Sequence, residues 1–324
     1  MKREFLVDDS DGESGGSSFL AGIKYTFKKK ILPNYILYLF LLPALAYLII
    51  FHYWPIYGAQ IAFKDFKPGL GIIGSPWVGL KHFERFLTSY MFVTLIKNTL
   101  TISLYQIFAG LPFSILLAIS LQYSFSKTFK KFAQTATYAP HFISQVVMVG
   151  IMLIFLSPQN GIINIIIKNL GGDPVFFMGN PDLFKHIYVW SGVWQGVGWG
   201  SIIFLAVLTN VNPELHEAAK IDGANKLQRV WNIDIPVIMP TAIILLIMDM
   251  GKALSIGFEK IYLMQNDTNV MVSEVISTYT YKLGILNAEY SYTAAIGLFN
   301  NIINLTLLLI VNKLAKRFTD HSLF

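Results

Sequence analysis

Residues 212–240 read NPELHEAAKIDGANKLQRVWNIDIPVIMP, a polar stretch that lies between two long apolar stretches. Asn212 is a preferred helix-capping residue, and Pro213 suits the first helical position because the N–H that it lacks has no partner there. Gly223 permits the left-handed conformation that commonly ends a helix. The pattern therefore predicts a helix that ends near Gly223, a sharp turn, and a second short helix over residues 226–231.

This predicted helical pair is longer and more structured than a connector requires. Two helices of a bundle can be joined by about two to eight residues. The apolar residues of the first predicted helix fall mostly on one face, and they are Leu215, Ala218, Ala219 and Ile221. An ordinary connector is the alternative interpretation. We interpret residues 212–235, called the knob below, as a shaped surface that fits a socket on a partner.

The knob also carries a family motif. Its residues Glu217-Ala218-Ala219, Asp222-Gly223-Ala224, Ile233, Ile235-Pro236 and Pro240 resemble the EAA motif of binding-protein-dependent ABC importer permeases. The family pattern is EAA, DGA, a spacer and I-x-L-P, so Ile235 stands where leucine is usual. The resemblance implies a coupling loop that docks into a cleft on a cytoplasmic ATPase subunit. The implied coupling residues are Glu217, Ala218, Ala219, Asp222, Gly223, Ala224, Ile233 and Pro236.

A second stretch resembles one branch of this family, the permeases for complex oligosaccharides and polysaccharides. The residues that carry it are Tyr53, Pro55, Tyr57-Gly58, Ala62-Phe63-Lys64-Asp65-Phe66, Trp77-Val78-Gly79-Leu80 and Phe83. Together the two resemblances cover about residues 35–318. They imply the type I ABC importer permease architecture and four partners: a second homologous permease subunit, two ATP-binding cassette subunits and an extracytoplasmic solute-binding protein. ATP and Mg would be bound by those cassette subunits.

Composition indicates a membrane protein. Hydrophobic residues make up 54% of the chain and charged residues 14%, and the mean hydropathy is +0.53. The net charge of +6 is carried mainly by residues at span ends, which favours anionic lipid over nucleic acid as the partner. The sequence thus predicts an all-α membrane protein with six transmembrane helices: 35–54, 93–121, 138–157, 187–210, 238–261 and 293–313.

Basic residues predict the orientation. They cluster before the first predicted span and after the second, fourth and sixth, and these sites share one side of the membrane. The clusters are Lys24, Lys28, Lys29 and Lys30; Lys127, Lys130 and Lys131; Lys220, Lys226 and Arg229; and Lys313, Lys316 and Arg317. Basic loops face the cytoplasm, so both termini and the knob are predicted there, in a multi-pass protein of the cytoplasmic (inner) membrane.

Two regions are predicted. Residues 1–34 form a cytoplasmic tail, with an acidic Gly/Ser-rich start that is expected to be disordered and an amphipathic helix on the inner leaflet. Residues 35–318 form the transmembrane permease domain, with a core at about 92–313.

The sequence predicts no catalytic residues and no metal site. It lacks cysteine and the Gly-rich phosphate-binding motif, so ATP hydrolysis must come from a partner. His216-Glu217 begins like a zinc-binding H-E-x-x-H motif, but Lys220 stands at the second histidine position.

Polar residues within the predicted spans are candidates for a substrate pathway. Asp249 and Lys252 lie about one turn apart near the middle of the fifth predicted span, either as a self-neutralising pair or as pathway charges. The other candidates have packing as their alternative role: Trp194, Gln195 and Trp199 on the fourth span, and Asn300, Asn301 and Asn304 on the sixth. Gly192, Gly196 and Gly200 favour close helix packing.

Three function classes remain in comparison. The first is the ABC importer permease. The second is an ion-coupled secondary transporter that uses Asp249, which leaves the knob without a purpose. The third is a membrane-embedded enzyme with Asp222 and Asp234 as paired carboxylates, although both lie inside the EAA-like pattern. The sequence favours the first.

Overall fold

The computed structural model describes residues 35–318. The chain divides into two compact units, Met1–Gln60 and Ile61–Phe324. The predicted tail of residues 1–34 and the last six residues, 319–324, lie outside the described residues.

The described part of the first unit is helical. Helix α1 (Tyr35–Leu48) passes through a π turn (Ile49–Tyr53) into α2 (Trp54–Gly58), and a 3-10 turn (Ala59–Phe63) follows. Together they make one apolar helix, Tyr35–Phe63, that is long enough to cross a membrane.

The second unit is also built from helices. Between Ile61 and Phe318 the β-structure consists of one isolated antiparallel bridge between Lys64 and Trp77. Its α-helices are α3 (Gly71–Gly74), α4 (Lys81–Leu87), α5 (Phe92–Gln122), α6 (Lys127–Tyr138), α7 (Gln145–Phe155), α8 (Ile162–Asn169), α9 (Pro181–Thr209), α10 (Pro213–Ile221), α11 (Lys226–Arg229), α12 (Ile235–Met250), α13 (Phe258–Met264), α14 (Val270–Ser273), α15 (Ile276–Tyr281) and α16 (Tyr290–Phe318).

The described residues contain five helices that are long and apolar enough to cross a membrane, and a sixth if one bent pair counts as a span. The five are Tyr35–Phe63, Phe92–Gln122, Pro181–Thr209, Lys226–Met250 and Tyr290–Arg317. The bent pair is Lys127–Phe142 with Gln145–Phe155. The predicted all-α membrane class is confirmed, and the count of six holds when the bent pair is one span.

The third predicted span, 138–157, is wrong as a continuous helix. The chain bends by 100° between the 3-10 turn that ends at Phe142 and the start of α7. Pro140 in this turn lacks an N–H for a helical hydrogen bond. Ser144 then adopts an extended backbone, and its side chain accepts a hydrogen bond from Val147 N, which starts α7 as a new helix.

The fifth predicted span, 238–261, is wrong at both ends. The helix starts at Lys226 inside the knob, because α11 continues through a π turn (Val230–Asp234) into α12. It ends at Met250, after which Leu254 N donates to Asn304 Oδ1 at 2.9 Å.

Helix α5 is central to the packing of the second unit. Leu95, Ile102 and Ala118 of α5 each belong to a different buried apolar cluster. Helix α9 contributes to two of these clusters, through Val189 and Phe204. The predicted boundaries of α5 agree closely with the structure. Helix α9 begins six residues earlier than predicted, because Asn180 caps it.

A glycine lets α6 approach α9 closely. A Cβ atom at Gly198 would lie 1.9 Å from the backbone oxygen of Thr137, so any other residue would force the two helices apart. Helix α6 carries the lysines that were predicted in a loop after the second span: Lys127, Lys130 and Lys131.

Candidate functional site: a knob and a polar cavity

The knob forms as its local sequence predicts. Asn212 caps α10 by accepting a hydrogen bond from Glu214 N at 3.0 Å, and Pro213 occupies the first turn. Gly223 has a φ of 81°, the left-handed conformation that favours glycine. Asn225 and Gln228 then form a capping box at the start of α11. Because each turn is fixed by a specific cap, the knob has a defined shape.

The outer surface of the knob is apolar and exposed. Ile221 is 87% exposed, Leu227 70% and Trp231 68%. Large apolar side chains that lie close together and remain exposed mark an interaction surface. Leu215 and Ala218 are exposed as well, so most of the predicted apolar face of α10 does not pack on the rest of the described chain, which agrees with a surface made for a partner.

The implied coupling residues share this surface. Glu217 is exposed, and its side chain makes no hydrogen bond or ion pair with any described residue. The other exposed ones are Ala218, Asp222, Gly223 and Pro236, and the half-buried ones are Ala219, Ala224 and Ile233. Their coupling role stays a prediction.

Beneath the knob lies a buried polar cluster that the sequence analysis missed. Asp234 is 1% exposed; its Oδ2 accepts a hydrogen bond from the Tyr123 hydroxyl at 2.7 Å, and its Oδ1 lies 3.4 Å from His216 Nε2. The Arg229 guanidinium is also buried and lies 5.7 Å from the Tyr123 ring. Burial and the hydrogen bond to Asp234 raise the pKa of Tyr123 to about 12, so the phenol keeps its proton and donates.

This cluster ties three elements together. His216 belongs to α10, Asp234 to the helix Lys226–Met250, and Tyr123 follows the last residue of α5. Asp234 was one of the two carboxylates considered for an enzyme. In the structure its oxygens contact Tyr123 and His216. Among the described residues no group of three His, Cys, Asp or Glu side chains is arranged to hold a metal ion.

The second candidate feature is a cavity of about 1090 Å³. Its walls come from α5, the bend before α7, α9 and the segment from Leu245 to Lys260. Several polar and charged side chains line it: Ser103, Gln106, Ser114, His141, Ser144, Gln145, Gln195, Asp249, Lys252, Glu259 and Lys260. Ligand sites in proteins commonly have volumes of about 300–1,000 Å³, so this one accommodates a sizeable solute.

Four of the eight predicted pathway residues line this cavity: Gln195, Trp199, Asp249 and Lys252. The Trp199 ring stacks on His141, with ring centres 4.5 Å apart and planes 5° from parallel. Gln195 is buried and holds the bend before α7, since its Nε2 donates to Ile143 O at 2.7 Å.

The other four predicted residues, Trp194, Asn300, Asn301 and Asn304, lie outside the cavity lining. Trp194 is 52% exposed. Asn304 is buried and bonds to the segment that follows α12, with its Nδ2 donating to Ser255 Oγ at 2.8 Å. Asn300 donates more weakly to the same oxygen, at 3.4 Å. These two contacts agree with the alternative role of interhelical hydrogen bonding.

The placement of Asp249 and Lys252 at mid-span is wrong. Asp249 lies in the last turn of α12, and Lys252 follows the end of that helix. Both residues are exposed, and no ion pair joins their side chains in the described part of the chain. The predicted self-neutralising pair is therefore replaced by two charges that each face the cavity.

Lys260 is a cavity residue that sequence reasoning did not identify, because it was placed in the fifth predicted span. It lies in α13, beyond the end of the span, and is 6% exposed. Its Nζ donates to Tyr188 O at 2.9 Å and lies 4.8 Å from the centre of that ring. Burial lowers the pKa of Lys260 to about 8, so the ammonium is still mostly protonated at neutral pH.

An all-α bundle with an exposed knob at a span end and a polar cavity along the spans defines a membrane transport subunit. Residues 110–320 match the family described as "Binding-protein-dependent transport system inner membrane component", and the chain belongs to this family.

Relatives and solved structures agree with this assignment. The chain is 41% identical over 295 residues to the polygalacturonan/rhamnogalacturonan transport system permease protein YteP of Bacillus subtilis (strain 168), covering 91% of this chain and 92% of that protein. It is 39% identical to protein LplB of the same organism, covering 89% and 91%. A crystal structure of a bacterial alginate ABC transporter, in complex with an alginate pentasaccharide-bound periplasmic protein, matches with a TM-score of 0.85 and 37% identity, covering 92% of this chain and 100% of that one.

The predicted resemblance to carbohydrate importer permeases is thereby confirmed. Family membership also excludes the third function class, because transport-system membrane components are translocation subunits rather than enzymes.

Proposed function

We propose that this chain forms half of a pathway through the cytoplasmic membrane along which an oligosaccharide or polysaccharide is imported. A second, homologous permease subunit supplies the other half. An extracytoplasmic solute-binding protein delivers the sugar, and two ATP-binding cassette subunits, which bind ATP and Mg, drive its passage.

One observation carries this proposal: a single helix joins the knob to the cavity. The helix Lys226–Met250 begins in the knob, and its last turn places Asp249 on the cavity wall. The buried contacts of Asp234 near its start hold this helix to α10 and α5. A displacement of the knob would therefore move a wall of the cavity, which is what ATP-driven transport requires.

The knob supports the ATPase partner. Its exposed side chains Ile221, Leu227 and Trp231 provide an apolar contact area, and Glu217 provides a charge with no partner among the described residues. An apolar centre with a charged rim is typical of a protein interface. We assign this interface to the ATPase subunits because the EAA-like residues lie within it.

The cavity supports a sugar as the solute. Sugars need hydroxyl partners and flat apolar surfaces, and the cavity offers amides such as Gln145 beside the exposed Trp199 ring. The named relatives point the same way, since YteP is a polygalacturonan/rhamnogalacturonan permease protein and the solved neighbour is an alginate transporter. Acidic polysaccharide, including alginate, is the substrate class that these relatives favour.

Reconstitution tests this function. The chain, its partner permease, the ATPase subunits and the binding protein are placed in liposomes with trigalacturonate as the probe. We expect uptake that requires ATP and is stopped by vanadate, because both depend on the ATPase subunits. Uptake that follows a proton or sodium gradient without ATP would instead support the ion-coupled alternative.

The orientation has its own test. The chain contains no cysteine, so Asn225→Cys introduces a single thiol at an exposed position of the knob. We expect an impermeant maleimide to label it in inverted membrane vesicles and not in intact spheroplasts. Labelling from outside intact spheroplasts would overturn a cytoplasmic knob.

A further inference from the structure

Lys260 presents a buried ammonium without a carboxylate. None of the described carboxylates lies within ion-pair distance of its Nζ, and its hydrogen bond to Tyr188 O uses one of the three ammonium donors. Lysine is rarely this buried unless it is paired. Lys252, by contrast, faces the same cavity but is exposed and solvated.

The Lys260 ammonium lies close to the bare backbone of α9 at Gly192. A Cβ atom added to Gly192 would lie 3.4 Å from Lys260 Nζ and 3.4 Å from Gln106 Nε2. Two nitrogen donors from different elements therefore converge on a bare stretch of helix backbone. Because Gly192 has no side chain, the ends of Lys260 and Gln106 both lie against the α9 backbone at the cavity wall.

Helix α5 adds a second unpaired group on this side. Ser103 is 5% exposed, and its Oγ has no hydrogen-bond partner among the described residues. Gln106 follows Ser103 by three residues, so both lie on one face of α5, and both line the cavity. A buried hydroxyl without a partner costs free energy unless a ligand completes it.

We infer that Lys260, Gln106 and Ser103 form a subsite that binds the carboxylate of a sugar acid as the glycan passes through the cavity. A carboxylate accepts several hydrogen bonds at once and matches a positive site with amide and hydroxyl donors beside it. All three side chains line the cavity beside Gly192, where a carboxylate in the cavity would meet them. This inference rests on the proposed function and adds a selection for uronic acid units.

The test uses the complete reconstituted transporter with two probes, trigalacturonate and the neutral trisaccharide made by reducing its carboxyl groups. Lys260→Met removes the charge and keeps the length of the side chain, whereas Lys260→Arg keeps the charge. We expect Lys260→Met to lower trigalacturonate uptake about tenfold, because hydrogen bonds to charged groups are the stronger ones. Lys260→Arg should retain more uptake, and neutral trisaccharide uptake should change little.

Two further variants separate binding from folding. Gln106→Leu removes one donor at similar volume and leaves Lys260 in place; we expect a several-fold loss that is again confined to the acidic probe. Lys252→Met is the matched control on the same wall, and a smaller loss is expected because that ammonium is solvated. ATPase activity without sugar reports whether each variant assembles.

Several results would overturn the subsite. One is equal loss of acidic and neutral uptake in both Lys260→Met and Gln106→Leu. Another is unchanged trigalacturonate uptake in both, and a third is wild-type transporter that imports the neutral trisaccharide as well as the acidic one. If the wild type imports neither probe with ATP, the proposed function fails instead, so the two failures are distinguishable.

Discussion

The two ends of the helix Lys226–Met250 are built on opposite principles. At the knob end each turn is capped, and Asp234 holds α10 and α5 through buried contacts while apolar side chains face outward. At the cavity end the helix stops at Met250, and its last turn and the segment that follows carry two exposed charges, Asp249 and Lys252. The first end has a fixed shape that suits the proposed coupling to a partner, and the second presents exposed polar groups to the cavity.

This contrast predicts that changes in the knob disturb coupling more than changes in the cavity wall disturb passage. The shape of the knob depends on a few residues whose caps and backbone conformation most other residues cannot reproduce. The cavity wall spreads its polar groups over five helices and two connecting segments, so we expect water to compensate partly for the loss of one exposed group.

The largest effect is expected at Gly223. Gly223→Val places a β-branched residue at a φ of 81°, a conformation that such residues rarely adopt and that costs roughly 1–2 kcal/mol or more. We expect coupled sugar uptake to fall by at least about tenfold, since 1.4 kcal/mol corresponds to a factor of ten. Gly223→Asn is the matched control, because asparagine tolerates this conformation. Equal, normal sugar-stimulated ATPase activity in both variants would contradict a shape-dependent knob.

Asp234 comes next, because its loss affects stability and coupling together. Asp234→Ala leaves the Tyr123 hydroxyl and His216 without their buried partner, at a cost of about 1–3 kcal/mol per unsatisfied group. We expect a lower melting temperature of the purified complex and weaker coupling. Asp234→Asn keeps an acceptor for Tyr123 and should lose less. An unchanged melting temperature in Asp234→Ala would show that the cluster does not hold the knob.

The shape of the knob could be predicted from the sequence, whereas the buried contacts that hold it to the other helices could not. Each cap, at Asn212 and at Asn225, and the turn at Gly223 involves only residues within four positions of the residue named. Local sequence therefore determines all three. The Tyr123–Asp234 hydrogen bond joins residues 111 positions apart, and only the packed fold brings them together. Its one local signal was a charge within an apolar stretch.

The boundaries of the third and fifth spans were missed for a related reason. Pro140 and Gly251 lie inside apolar runs, so hydropathy alone predicts a continuous helix across each of them. The break after Met250 is stabilised by Asn304, which is far away in the sequence. The buried ammonium of Lys260 was missed because its position was read as part of a continuous helix.

Glu217 should separate the two roles of the knob. Its side chain is exposed and has no partner among the described residues, so Glu217→Ala should leave the melting temperature of the complex unchanged. If Glu217 meets a cation or an N–H group on the ATPase, we expect coupled uptake to fall about threefold to tenfold. The same samples used for Asp234→Ala give the comparison. Loss of stability in Glu217→Ala, with coupling intact, would remove Glu217 from the interface.

The smallest effects are expected on the cavity wall at Asp249 and Lys252. Both side chains are exposed and no ion pair joins them, so each is solvated and neither leaves a buried charge behind when the other is changed. Lys252→Met and Asp249→Asn should each reduce trigalacturonate uptake by less than about threefold. In the double variant the combined loss should be no larger than the product of the two single losses, because opposite charges three residues apart can interact. Uptake and the melting temperature are measured for all three variants. A double variant that recovers stability lost in Asp249→Asn would instead reveal a self-neutralising pair. A loss at Lys252 larger than that of Gly223→Val would reverse the contrast between the two ends of the helix, because passage rather than coupling would then depend on a single group.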